Sequence, residues 1–485
     1  MEANTDNASS HSQSQSQQLE GEDRLSMLTD DILLSILRRV GTRMAATTSV
    51  LSTRWMHLPW LLPELSINVK EFLSGPCRDP AEENDMDQAM ASLTKAIWSF
   101  LAKPRKGSCI SRLRLQLYLI NTFLCNIGPL VGDAVNIGLL KDLDLTIHDE
   151  ICPLERSKEE MIQRAKEMDC FFSAYPTVLR CLTRLCLYNV CFGELDTNHV
   201  LFDRCEQLKH LTLFHSDTGS FTPCKIDAPN SKLSVLEIST CSFEKLELVC
   251  LPKLERLEWN TWVSVCAPLS FGFVPSLGEL ILSYGKAFYH RGFKLSEVLD
   301  GATSIHTLTL DFQGENIWMQ PELKELRPAF RKIRNLSMHG IFVDFDIIWT
   351  IAFLEAAPSL EILLIGVWDH ECESCHDGEK ARSSFPERRN PRWEMDFPNS
   401  KNLLLKELQF IGFASFEHQF TFIRALLERA PNLQTIVLKG NEQCDQCDAL
   451  DTPPFSLFPK EKDKQEMVVR RITDGIFSPQ IIFDE

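Results

Sequence analysis

The chain has 485 residues, 44% of them hydrophobic, which is enough for a large core but too long for one ordinary compact domain, so several units or an elongated repeat are expected. Acidic residues outnumber basic ones by 67 to 50, a formal charge of −17; with no basic cluster along the sequence, this argues against nucleic acid as a partner. No stretch reaches the roughly 18 uninterrupted apolar residues of a membrane span, so no membrane partner is expected either.

Residues 1–21 are rich in Ser, Gln, Asn and Glu and lack the basic start and apolar run of a secretory signal, so they are expected to be a disordered tail on a protein of the cytoplasm or nucleus. The 17 cysteines include several at apolar-patterned positions, such as Cys186 and Cys250. These are expected to stay reduced and to act as small hydrophobes.

Residues 23–37 read DRLSMLTDDILLSIL. Leu25, Leu28, Ile32, Leu33, Ile36 and Leu37 are spaced three and four apart, the mark of one wide apolar helix face. Thr29 is the expected N-cap, and Asp30 and Asp31 then face the positive end of the helix dipole. A second helix is expected after Gly41-Thr42, running through RMAATTSVLSTRW and placing Val50, Leu51 and Trp55 on a shared face. About 40 residues cannot bury this much apolar surface alone, so part of it should dock on another protein.

The order D-R-L-x-x-L, D-D-I-L-L-x-I-L, T-S-V-L-S-T-R-W over residues 23–63 resembles plant F-box domains, and the V-L-S-x-R-W ending is its most specific part. The resemblance implies helices that bind a Skp-family adaptor, which joins them to a cullin scaffold, a RING subunit and a ubiquitin-conjugating enzyme. Leu28, Ile32, Leu33, Ile36, Leu51 and Trp55 are the expected adaptor contacts. The alternative is that Ile32, Ile36 and Trp55 are only the internal core of a small helical unit. The chain departs from the family's habit at Thr29 and Gly41, where prolines are common, which should loosen the starts of the helices.

Residues 86–101 (MDQAMASLTKAIWSFL) have helical spacing and are expected to cap the first strand of a repeat array. From Ser111 onward the pattern leucine-x-x-leucine-x-leucine keeps returning. Weak copies lie at 111–117 and 140–145; clear ones begin at Leu182, Leu208, Leu233, Leu254, Leu277, Ile305, Ile333, Leu360, Leu405 and Leu433. Marker leucines from Leu185 to Leu363 step by about 21 to 28 residues, the period of leucine-rich repeats. The polar stretch 369–400 reads as a loop inserted into the array.

Each repeat should supply one strand of a parallel sheet, with leucines inward and the residues between them lining a concave surface. The expected fold class is therefore α/β: a helical head over 22–65, a linker and capping helix over 66–110, and a repeat solenoid over 111–440. The segment 441–485, ending RRITDGIFSPQIIFDE, resembles the C-terminal FBD region of plant F-box/leucine-rich-repeat proteins.

Strand alternation turns Arg184, Cys186, Tyr188, His210, Thr212, Phe214, Val235, Glu237, Ser239, Arg256, Glu258 and Asn260 to the open face. His210, Phe214, Glu237, Arg256 and Glu258 are the candidate contacts for a protein substrate. Ile281, Leu364 and Val437 make the later rows more apolar. Cys372 and Cys375, with Cys444 and Cys447, form two C-x-x-C pairs whose spacing permits a zinc site without demanding one, and the ordinary reading is reduced loop cysteines. No metal or other cofactor is expected.

No glycine-rich phosphate loop, G-x-S-x-G elbow or H-E-x-x-H helix competes with the resemblance, which implies a non-catalytic adaptor subunit acting by proximity. Two rival readings remain. One is a repeat scaffold uncoupled from any ligase, prompted by Thr29 and Gly41. The other is a small-molecule co-receptor, disfavoured because basic residues look sparse on the inner face.

Overall fold

The computed structural model describes residues 27–73, 83–102, 109–151, 155–193, 196–219, 221–264, 267–284, 293–314, 317–320, 322, 324–343, 345–368, 403–440, 458–473 and 479–484. Fourteen strands form one continuous parallel sheet in near-sequential order. Among the described residues the first five strands are β1 (Glu64–Asn68), β2 (Ile110–Tyr118), β3 (Leu140–His148), β4 (Leu182–Tyr188) and β5 (His210–Phe214). Then come β7 (Val235–Ser239), β9 (Arg256–Asn260), β11 (Glu279–Ser283), β12 (Thr307–Asp311) and β13 (Asn335–Phe342). The sheet ends with β14 (Ile362–Trp368), β15 (Glu407–Ile411), β16 (Thr435–Lys439) and β17 (Gln480–Asp484). Three strands that alternate with these in the chain, β6 (Cys224–Asp227), β8 (Leu246–Cys250) and β10 (Leu269–Phe273), form a separate three-stranded parallel sheet.

The alternation of each strand turns two columns of apolar side chains inward. Leu185, Leu211, Leu236, Leu257, Leu280, Leu308, Leu336 and Leu363 stand in register across neighbouring strands and are all buried. Each fully buried leucine contributes roughly 1.5–3 kcal/mol of transfer free energy, and only stacking neighbours close the column.

The outer layer follows repeat length. Between Leu211, Leu236, Leu257 and Leu280 the steps are only about 25, 21 and 23 residues. Such repeats leave too little chain for a helix and return as extended strands, which rise about 3.3 Å per residue against 1.5 Å for a helix. These strands are β6, β8 and β10. Longer repeats carry helices instead: Asn121–Asn136, Lys158–Ala174, Glu417–Arg429 and Lys462–Ile472. The Lys158–Ala174 helix starts with a capping box, Ser157 and Glu160 each bonding the other's backbone N–H.

Two features differ from the expectation of one strand per repeat beginning at residue 111. The sheet starts earlier, because β1 lies directly behind the helical head and pairs with β2 from Glu64↔Arg112 to Asn68↔Gln116. It also continues into the final segment, where β17 pairs with β16. The stretches 1–26, 369–402 and 441–457 lie outside the described residues, and with them the tail, the inserted loop and both C-x-x-C pairs.

Candidate functional site

The head is two short helices and two single turns. Helix α1 (Asp30–Leu37) opens at Thr29, whose extended backbone serves as N-cap without a side-chain bond, and Asp30 and Asp31 fill its first turn. Helix α2 (Thr42–Thr47) opens at Gly41, also without a side-chain cap. The helices therefore form without the prolines common at these two positions.

Six apolar side chains were singled out in the head, and they divide by exposure. Leu33 is 0% exposed and Trp55 6%. Both belong to the chain's own core with Leu37, Leu58 and Leu62, so their assignment as adaptor contacts is corrected: helix periodicity gave them the same face as Ile32 without showing which edge turns inward. Leu28 is partly buried against that core. Ile32 is 47% exposed, Leu51 68% and Val50 85%, and Ile36, Val40, Met44 and Met56 are open too. Periodicity puts Val50 on the shared face without marking it as a contact, and nothing in the sequence singles out Met44 or Met56.

The head is fixed to the sheet. The Ser66 N–H donates to Thr42 Oγ1 at 2.8 Å, and the Arg43 guanidinium lies over the Phe72 ring at 5.6 Å. Trp60 Nε1 donates to the Ser99 carbonyl at 3.1 Å and its ring stacks on Phe100 at 5.7 Å. Phe100 belongs to helix Glu83–Leu101, the one expected over 86–101.

On the open face of the sheet, register arranges the outward residues in three rows. One row carries Arg114, Asp144, Arg184, His210, Val235, Arg256 and Glu279; the next carries Gln116, Thr146, Cys186, Thr212, Glu237 and Glu258. The third begins Tyr118, His148, Tyr188 and Phe214, an aromatic ladder with ring centroids 6.5, 5.4 and 4.6 Å apart, the last pair stacked. Phe214, a candidate from sequence, closes this ladder.

The other four candidates adjoin one another. His210 Nε2 stands 3.0 Å from Glu237 Oε2, near enough for an ion pair when protonated but not aligned as a hydrogen bond. Glu237 also accepts from Thr212 Oγ1 at 2.9 Å. Its carboxyl is held below the usual range chiefly by His210, helped by Thr212 and Arg256 and opposed by burial. Arg256 Nη2 lies 2.8 Å from Glu258 Oε2, and its Nε 4.0 Å from Glu279 Oε2. Two carboxylates thus pair with one guanidinium over β9 and β11, and Glu237 on β7 feels its charge.

Beside them, over β2 to β5 and reaching Ser234 and Val235 at the start of β7, is a cavity of about 410 Å³ lined by Arg112, Arg114, Arg184, Lys209 and His210, with Asp142 and Asp144. The impression of sparse basic residues on this face is thereby corrected, since pairing gathers cations lying up to about a hundred positions apart in the sequence. Asp144 engages Arg112 Nε at 3.9 Å and Arg114 Nε at 3.5 Å, and it accepts from Thr183 Oγ1 at 3.2 Å.

Two titratable groups of this face, Cys186 and His148, are held in their neutral forms. Burial pushes the Cys186 thiol up to about 12, so it is protonated and a poor nucleophile. Burial and the Lys70 charge lower His148 to about 4, against the pull of Glu150, which leaves a neutral ring within the ladder. The ten described cysteines are all free. The arrangement is suited to holding charged and aromatic groups in place.

Comparison with known proteins identifies a repeat domain and F-box relatives. Residues 153–464 match the family described as At1g61320/AtMIF1, LRR domain. The chain is 32% identical over 369 residues to the F-box/FBD/LRR-repeat protein At5g22700 of Arabidopsis thaliana, spanning 71% of this chain and 79% of that one. It is 29% identical over 385 residues to the F-box protein At3g03040 of the same plant (73% and 78%). It is 24% identical over 376 residues to the F-box/FBD/LRR-repeat protein At5g22660 (71% and 77%).

Proposed function

The chain belongs to the plant F-box/leucine-rich-repeat family, and from that premise we propose that it is the substrate-selecting subunit of a Skp-cullin-F-box ubiquitin ligase. The head takes a Skp-family adaptor, and through it the cullin and RING subunits, while the open face of the sheet takes a protein substrate. The chain makes no covalent bond itself. It raises the effective concentration of the substrate beside an enzyme carried by another subunit, in the cytoplasm or nucleus.

The observation that carries this reading is the unpartnered apolar surface of the head, where Ile32, Ile36, Val50 and Leu51 stay exposed although a core of their own chain lies beneath them. Several large apolar side chains left exposed on one short helical head are the ordinary mark of a protein-binding site. The bonds from the head to β1 and the Glu83–Leu101 helix support a second part of the reading: the adaptor and the substrate are held at a set separation, which transfer by proximity requires.

Co-purification of the full chain with a Skp-family protein tests the proposal. Binding is expected for the unaltered chain and is expected to be lost in the double variant Val50→Asp/Leu51→Asp, whose side chains touch little of their own fold. A folded chain that shows no binding would leave the reading of an uncoupled repeat scaffold. Substitution is preferable to deleting residues 1–65, because the cut falls inside β1 and would open the sheet.

A further inference from the structure

We infer that the cavity over β2 to β5 is the subsite for a short acidic segment of the protein substrate, whose carboxylates are met by Arg184 and Lys209. This deepens the reading of the open face as the recognition surface and rests on it.

The charges around the cavity are not equally engaged. Of its four full cations, Arg112 and Arg114 are already turned to Asp144, and Arg114 also to Glu64. Arg184 and Lys209 are exposed, and among the described residues neither side chain makes an ion pair or hydrogen bond. Two carboxylates, Asp142 and Asp144, share the lining with four cations, so the cavity is locally positive on a chain of formal charge −17. At physiological salt the screening length is about 8 Å, so distant acids do not cancel a charge met at contact.

The neighbouring strands set the length of the segment. Over β7, β9 and β11 the same face turns acidic, with Glu237, Glu258 and Glu279 around Arg256. A polyacidic run is therefore repelled beyond β5. Three strand spacings of about 4.8 Å separate β2 from β5, a distance that about four extended residues cover. The aromatic ladder lies two rows away, roughly 13 Å along the strands, and offers its faces to an apolar side chain of the same substrate.

The test is isothermal titration of the full chain with acetylated, amidated tetraglutamate at low salt, with tetralysine and citrate as comparison probes. Tetraglutamate is expected to bind, more weakly as salt rises, and at least tenfold more weakly to Arg184→Glu/Lys209→Glu. The variant Lys166→Glu/Lys253→Glu makes the same change in net charge on exposed positions outside the cavity lining and is expected to alter affinity less than twofold. Equal losses in the two variants, equal binding of tetralysine, tighter binding of citrate than of the peptide, or no binding of tetraglutamate would each overturn the inference. The assay needs no adaptor, so its failure leaves the Skp reading of the head standing.

Discussion

Arg54 closes on the start of the helix that opens the head: its Nη2 lies 2.8 Å from Asp30 Oδ1 and also donates to the Leu28 carbonyl. The next residue, Trp55, is in the core. The arginine-tryptophan pair that ends the family's motif thus does two jobs, one residue fixing the helix start and the other filling the space beneath it. Replacing Arg54 by alanine removes an exposed ion pair worth up to about 1 kcal/mol and a bond to a carbonyl. The head is expected to open locally more often while the repeats are unaffected. Hydrogen exchange of the Asp30–Leu37 amides should quicken several-fold with no change in the β9 to β13 amides; unchanged exchange in the helix would mean that the pair does not hold it.

After the strands, several repeats turn the chain through a left-handed residue, and the residue types differ in how well they suit it. Asn189, His215, Thr240 and Thr261 have φ of 54°, 48°, 50° and 56°, while Gly340, at the register shift inside β13, has 62°. A β-branched residue is the least at ease there. Thr261→Asn is expected to stabilise by about 0.5–1 kcal/mol. Gly340→Ala is expected to cost about 2 kcal/mol or more, because its Cβ would also come 2.3 Å from the Gln313 backbone nitrogen. Chemical denaturation of the two variants gives the comparison, and shifts of the same sign would contradict the argument.

The leucine spacing made the parallel sheet legible, along with the residues on its open face, because period-two alternation is a property of each strand alone. What it could not give is which residues stand beside one another. Aligning marker leucines puts Asp142 next to Arg184, whereas a register shift between Leu143 and Asp144 pairs Asp144 with Arg184. The cavity depends on that shift, and Arg112, Arg114 and Lys209 were not singled out from sequence. Similarly, β1 has too few residues to show a repeat, and the β6, β8 and β10 sheet arises from short repeats that carry no leucine signature of their own. In the head, periodicity found the apolar side chains. Only packing separates Leu33 and Trp55, which are core, from Ile32 and Leu51, which are not.

His148 makes acid sensitivity a property of the aromatic ladder. Its folded value of about 4 lies below the ordinary 6.5, with burial the largest cause. Between those values the unfolded chain binds the extra proton. The stability linked to His148 is therefore fully present above about pH 6.5 and is lost as pH falls toward 4. His148→Phe keeps an aromatic ring and removes the titration. It gives up the 3.1 Å contact between His148 Nε2 and Gln116 Oε1, a cost that does not vary with pH in this range. The variant is expected to gain on the unaltered chain by on the order of 2 kcal/mol between pH 7 and pH 4.5. Denaturation midpoints that move in parallel over this range would show that the ring is already charged in the folded protein.

Asp149, the next residue, acts in the same direction at lower pH and from beneath the ladder. Its carboxylate accepts from Arg156 Nη2 at 2.7 Å and Nε at 2.9 Å and from Asn189 Nδ2 at 2.9 Å, with Arg164 Nε at 3.5 Å. Arg164 in turn donates to the carbonyls of His148 and Tyr188, so the cluster ties the ends of β3 and β4 together under the two rings. Burial pushes the carboxyl up, but the Arg156 bond, the Arg164 charge, the Asn189 bond and the Arg156 charge together hold it below its ordinary 3.8. Asp149→Asn leaves two guanidiniums facing a neutral amide, and is expected to cost about 2–4 kcal/mol at pH 7, somewhat less than outright loss of a buried partner because the amide oxygen still accepts. The sign comes from the depressed value: the carboxylate's contribution is complete above about pH 4 and disappears as pH falls through the folded value. The gap between the unaltered chain and the variant should therefore stay constant from pH 7 to pH 5, where His148 titrates in both, and narrow below about pH 4. A gap that is the same at pH 3 as at pH 7 would assign the loss to packing and not to the charge.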